Sequence, residues 1–171
     1  MIFVNEIKGG VIKKEYIPAV EKGLRQSMEL GGAAKIEYSG IHASIYDGEQ
    51  HDVDSSELAF NLAARLAFEE AERKMKRVLL EPIMKLEVAI PAEYVGDITG
   101  DLNRRRALIE AMDMDGPIRT IRGRVPMAEM FGSQTNLMSL TSGRGSFHME
   151  PDSYARVPAN IAEKLYEDRK K

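Results

Sequence analysis

Leu79-Leu80-Glu81-Pro82, followed by Ile83 and a strand-forming run from Met84 to Ile90, is the stretch on which the fold turns. Upstream of it, Glu69 to Arg77 is a solvated, charged helix end, so a domain boundary falls near Val78. Downstream come the strand Met84 to Ile90, a helix from Ala92 to about Arg105, and two strands flanking the Asp115-Gly116-Pro117 turn. A helix from Met127 to about Leu137 and a last strand from Arg144 to Glu150 complete the set. The order β-α-β-β-α-β is the split βαβ arrangement, an antiparallel sheet with both helices on one face. After Pro158 the tail is helical again, with Ile161 and Leu165, and Ala162 as a further candidate, facing a partner. The expected division is residues 1–77, residues 78–150, and a helical extension over 151–171.

Residues 1–77 read differently. The first strand carries apolar residues on both faces (Ile2 and Val4, Phe3 and Ile7), as an interior strand does, and Gly9-Gly10 ends it. Val20, Leu24 and Met28 recur at helical spacing, with Pro18 in the first turn and Gly31-Gly32 closing the end. From Lys35 to Asp47 the chain alternates, Ile41, Ala43 and Ile45 on one face against His42, Ser44 and Tyr46 on the other. Asp54 and Glu57 have the spacing of a capping pair. Behind them Leu58, Leu62 and Leu66, broadened by Ala59, Ala63 and Ala67, predict the buried stripe of a helix whose outer side is Asn61, Arg65 and Glu69.

Composition excludes several function classes. The 171 residues carry no cysteine, which removes disulfides, thiolate metal sites and cysteine nucleophiles. Three histidines are too few for a histidine-rich metal site. No apolar run approaches the roughly 20 residues of a membrane span, and the start lacks a signal-peptide pattern. Lys and Arg number 24 against 27 Asp and Glu, a net charge of −3, which argues against charge-driven binding of nucleic acid over the whole surface. Any RNA contact must be local. Neither a phosphate-binding loop nor a dinucleotide fingerprint is present.

The densest polar stretch runs from Tyr46 to Glu57. It holds Ser, His and Asp, so a hydrolase using Ser55 or Ser56 with His51 has to be weighed. Residues adjacent in sequence seldom form a triad, and no nucleophile elbow surrounds either serine. His51 sits on a loop and reads equally as a solvated side chain or as a functional one. A metal on His51, Asp52 and Asp54 would lack calcium-loop spacing. Two arginine clusters stand out. Arg104, Arg105 and Arg106 end a helix and suit its dipole. Arg122 and Arg124 share a strand face, with Arg119 on the other, and Arg144 lies between two glycines at the start of the last strand. Each serves equally as an exposed structural cation or as a phosphate contact.

Longer strings carry a resemblance. Phe3-Val4-Asn5-Glu6-Ile7-Lys8-Gly9-Gly10, Glu15-Tyr16-Ile17-Pro18-Ala19-Val20-Glu21-Lys22-Gly23 and His51-Asp52-Val53-Asp54-Ser55-Ser56-Glu57-Leu58-Ala59-Phe60 closely resemble domain IV of bacterial translation elongation factor G. Leu80-Glu81-Pro82-Ile83-Met84, Gly100-Asp101-Leu102-Asn103-Arg104-Arg105-Arg106 and Val125-Pro126-Met127-Ala128-Glu129-Met130-Phe131-Gly132 resemble its domain V. Thr141 to Met149 and Val157-Pro158-Ala159-Asn160-Ile161-Ala162 match its end. The sequence departs from the family's usual pattern at Lys13, at Ala33 to Ile41, at Glu49-Gln50 and at Pro151.

The resemblance implies an α+β chain of two domains. The first resembles domain 2 of ribosomal protein S5, with a left-handed βαβ crossover, and the second is ferredoxin-like, with a C-terminal helix. It implies a C-terminal piece of a cytoplasmic, monomeric translational GTPase that moves transfer RNA and messenger RNA through the ribosome. This portion would not itself be an enzyme. GTP and Mg²⁺ would belong to a nucleotide-binding domain upstream. The loop Gly48, Glu49, Gln50, His51 and Asp52 would enter the decoding A site, with Arg104, Arg105, Arg106, Arg122, Arg124 and Arg144 as ribosomal RNA contacts. The partners would be ribosomal RNA and proteins and the tRNA–mRNA in the A site, with no membrane. A paralogue acting in ribosome recycling or protection is the alternative reading.

Overall fold

The computed structural model describes residues 1–32, 35–51 and 53–168. It divides into two compact units, Met1–Arg77 with the chain end from Lys164, and Val78–Glu163. Among the described residues no helix is long and apolar enough to cross a membrane.

The first unit is a βαβ crossover followed by a second helix. Strand β1 (Ile2–Asn5) and β2 (His42–Ile45) are parallel neighbours, Ile2 opposite His42 and Asn5 opposite Ile45. Helix α1 (Ile17–Leu30) connects them and α2 (Glu57–Lys74) follows. Pro18 lies in the first turn of α1, and Gly31 ends the helix in the left-handed region at φ 75°, where a side chain would be strained. Beyond Gly31, Ile36 N–H donates to the Gly31 carbonyl and Tyr38 N–H to that of Met28. Those bonds fold residues 35–41 back on the helix end, so the strand expected from Lys35 narrows to His42–Ile45. β1 is not interior either: among the described residues its only partner is β2, and Ile2 is exposed.

The expected leucine stripe of α2 faces the wrong way. Leu58, Leu62 and Leu66 are 68%, 46% and 64% exposed, whereas Ala64, Phe68 and Glu72 are buried against α1. Helix α2 is apolar on more than one side, and the side carrying the aromatic rings wins. Phe60 stacks on Tyr16 with centroids 4.8 Å apart, and Phe68 meets Tyr38 edge-on at 5.4 Å, geometries that add to the area buried. The buried Glu72 carboxylate accepts from Tyr38 Oη–H at 2.8 Å and from Arg77 Nη1 at 2.6 Å, which satisfies a charge that would otherwise be costly to bury. Asp54 does not cap α2. Ser56 does, its backbone extended and its Oγ accepting from Ala59 N–H at 3.1 Å.

The second unit has the four-stranded antiparallel order β4-β5-β3-β6. Its elements are β3 (Leu80–Pro91), α3 (Val95–Arg104), β4 (Leu108–Asp115), β5 (Ile118–Pro126), α4 (Ser133–Leu140) and β6 (Ser146–Arg156). Helix α5 (Ala159–Asp168) closes the chain. Alternation places Leu86, Val88 and Ile90 of β3 with Ile121 and Val125 of β5 in one core with Ile98 and Leu102 of α3 and Leu137 of α4. Burying each such side chain contributes about 1.5–3 kcal/mol.

Two expectations shift here. The last strand continues past Glu150 to Arg156, Leu80 pairing with Arg156 and Ile83 with Ser153 across a register shift. Prolines look like strand ends in sequence, but β6 is an edge strand, and β5 joins β3 only from Ile83 onward, so Pro82 and Pro151 are both tolerated. The helix expected from Met127 is a 3-10 turn (Met127–Met130) separated from α4 by Gly132 at φ 71°. Replacing Ser56 with alanine is expected to cost the first unit about 1 kcal/mol, and Asp54→Ala less than about 0.5 kcal/mol. Urea titrations followed by far-ultraviolet circular dichroism distinguish them, and equal losses would restore Asp54 as the cap.

Candidate functional site

The His51 loop joins β2 to α2, and its backbone is pinned at several points. Ser55 Oγ accepts from His51 N–H at 2.8 Å, while Ser55 N–H donates to the His51 carbonyl at 3.1 Å. Asp47 Oδ1 accepts from Gly48 N–H. Gln50 Oε1 reaches across to the loop before α1 and accepts from Lys13 N–H at 2.8 Å. Ile12, buried, lies under Gly48, where a Cβ would stand 2.4 Å from its Cδ1. The His51 side chain is left 65% exposed, its Nε2 3.5 Å from the Glu49 carboxylate, an ion pair when the imidazole is protonated. Of the residues expected in this loop, Gly48, Glu49, Gln50 and His51 come together. Asp52 lies outside the described residues.

This geometry does not build a hydrolase. A serine nucleophile needs its Oγ beside the basic nitrogen. Here Ser55 Oγ is held by a backbone N–H, Ser56 Oγ caps α2, and the imidazole Nε2 lies near Glu49. Sequence reasoning missed Ile12 and Lys13 as supports of the loop. The available signal was the apolar pair Val11-Ile12 in the otherwise polar stretch from Lys8 to Glu15, of which the structure buries Ile12 and leaves Val11 exposed.

The arginines of the second unit sort by their partners. Arg106, at φ 59°, makes a bidentate pair with Glu81 (2.7 and 2.8 Å) and a further bond to Glu129 at 2.8 Å. Hydrogen bonding to Glu81, ahead of that to Glu129, holds the Arg106 pKa above its ordinary value despite burial. Arg105 donates to Asp101 at 2.8 Å and to the Glu129 carbonyl at 2.6 Å. Burial pushes the Asp101 carboxyl up, but the hydrogen bond and charge of Arg105 outweigh it and leave the pKa lowered. Arg104 is 74% exposed, with Asp101 at 3.6 Å. On the helix-free sheet face Arg122 pairs with Glu87 and Asp113, and Arg124 with Glu110 and Asp152. Arg144 pairs with Glu93 and lies over the Tyr94 ring.

Arg105 and Arg106 thus tie the end of α3 to the turn at Glu129, and Arg106 reaches on to the start of β3. Arg104 points outward. Arg106→Ala is expected to cost the second unit about 2–3 kcal/mol, because the buried Glu81 carboxylate loses its partner. Arg104→Ala should change stability by less than about 0.5 kcal/mol. Chemical denaturation of the two variants checks the contrast; similar losses would mean that the buried pair carries no special weight.

Comparison with known proteins agrees with both units. The family model described as elongation factor G, domain IV, matches residues 1–76, and the one described as the elongation factor G C-terminus matches residues 78–165. A crystal structure of a protein from Thermus thermophilus is similar at a TM-score of 0.90 and 39% identity, over 98% of this chain and 26% of that one. The α+β fold read from the sequence is the one found. The chain therefore spans about a quarter of that relative's length, and it belongs to the elongation factor G family.

Proposed function

We propose that this chain is the ribosome-facing C-terminal portion of a translational GTPase that promotes tRNA–mRNA translocation. The observation that carries the reading is an exposed His51 on a loop whose backbone is fixed by Ser55 and Gln50. A loop already ordered before contact loses little conformational entropy on binding. The neutral imidazole offers one donor and one acceptor, and the protonated form two donors, which suits ribose hydroxyls, base edges and phosphates alike. The loop acts by insertion. It enters the decoding A site and competes for contacts that hold the codon–anticodon duplex there, with no bond made or broken by this chain.

GTP and Mg²⁺ would be held by a nucleotide-binding domain elsewhere in the longer polypeptide, and the work would be done in the cytoplasm by a monomer. Exposed Arg104 and the paired but exposed Arg122, Arg124 and Arg144 are the arginines best placed for ribosomal RNA. In the full-length protein, His51→Ala is expected to slow translocation by about tenfold, the rate equivalent of about 1.4 kcal/mol, while single-round GTP hydrolysis stays near the parent rate. Rapid-mixing measurements of both steps check this. Equal slowing of the two would overturn the insertion role.

A further inference from the structure

The loop that supports the His51 loop carries cations of its own. Lys8, Lys13 and Lys14 are exposed, and among the described residues none of them forms an ion pair. Of the other cations of the same unit, Arg25, Lys74 and Arg77 pair with Glu21, Glu70 and Glu72, and Lys22, Arg65 and Arg73 lie along the helices, away from this loop. The turn between Lys8 and Lys13 is open at its tip. Gly9 and Gly10 hold φ values of 71° and 70°, and a Cβ on either would meet nothing within 4 Å. Its far end is fixed by buried Ile12 and by the bond from Lys13 N–H to Gln50.

The His51 loop has the opposite character. Asp47, Glu49 and Asp54 are exposed around the histidine. Carboxylates repel phosphate, so apart from the imidazole this loop adds no attraction for RNA backbone. They do accept hydrogen bonds from ribose hydroxyls and from base amino groups.

We propose that the loop Lys8–Lys14 is a second nucleic-acid contact, in which Lys8, Lys13 and Lys14 bind RNA backbone phosphates beside the His51 loop, and that the Lys13–Gln50 bond keeps the two loops in register. This rests on the reading of the chain as ribosome-facing. It divides the labour between neighbours: the basic loop supplies sequence-independent affinity, and the acidic loop addresses sugars and bases. Gln50 is a positioning residue in this arrangement, since its side chain meets the Lys13 amide and leaves RNA contact to others.

The test is equilibrium binding of the 171-residue chain to small ribosomal subunits across a salt series. For the triple variant Lys8→Ala, Lys13→Ala, Lys14→Ala, the slope of log K against log salt should fall by about 2–3, since each phosphate contact contributes roughly 0.7–0.9. Its thermal unfolding should match the parent, because the substituted side chains are exposed and, among the described residues, form no ion pair. Gln50→Ala should keep the parent slope but bind several-fold more weakly. An unchanged slope in the triple variant, with the parent binding, overturns the lysine assignment alone. Parent-like affinity in Gln50→Ala overturns the register role. No binding by the parent overturns the ribosome-facing reading, and this inference with it.

Discussion

The first unit depends on how closely α1 and α2 approach at Gly23. A Cβ there would stand 2.5 Å from the Asn61 carbonyl oxygen and 3.1 Å from Ala64, so only glycine lets the two helices meet at this depth. Contacts along the pair advance together: Tyr16 on Phe60, Gly23 against Asn61 and Ala64, Gly32 against Glu72. The helices therefore run in the same direction, and their N-termini lie side by side. The segments leading into those N-termini are the lysine loop and the His51 loop. Their adjacency, sealed by Ile12 under Gly48 and by Gln50 on Lys13, follows from helix packing many residues away.

In the second unit, electrostatics do the joining at one corner. Arg106 sits in a left-handed conformation that non-glycine residues seldom adopt, and it is compensated by three hydrogen bonds to two carboxylates. Arg105 adds bonds to Asp101 and the Glu129 carbonyl. This corner joins the end of α3, the start of β3 and the turn after β5. Three consecutive arginines thus divide by geometry. The helix end turns two of them inward, where carboxylates wait, and leaves one in water.

Much of this was legible in the sequence, and the failures have physical causes. Helix α1 was clear because Val20, Leu24 and Met28 have one period and glycines mark its end. The β-α-β-β-α-β order was clear because turn residues separate its elements. The buried face of α2 was not, because Leu58, Leu62 and Leu66 compete with Phe60, Ala64 and Phe68, and only the rings contributed by Tyr16 and Tyr38 decide between them. Asp54 and Ser56 are both good caps, and the choice rests on where the backbone becomes helical, which the His51–Ser55 bonds fix. In the candidate site, the His51 loop was visible from composition. Its support by Ile12 and Lys13 was not, since the contact between Lys13 and Gln50 spans 37 residues.

Charge ties these observations together. A net charge of −3 is small, but it is far from evenly spent. In the second unit, Arg105, Arg106, Arg122, Arg124 and Arg144 face carboxylates, while Arg104 points outward. An arginine already paired gains less from a phosphate, because it must first give up a partner of similar geometry. In the first unit, three lysines lie beside an acidic loop without pairing among the described residues. Lysine is a compact, well-hydrated cation on a flexible stem, suited to transient contact with phosphate. Such contacts weaken steeply as ionic strength rises and leave no buried charge behind. The weak net charge therefore conceals a local asymmetry: lysines without ion pairs among the described residues adjoin an acidic loop in the first unit, while most of the second unit's clustered arginines are paired.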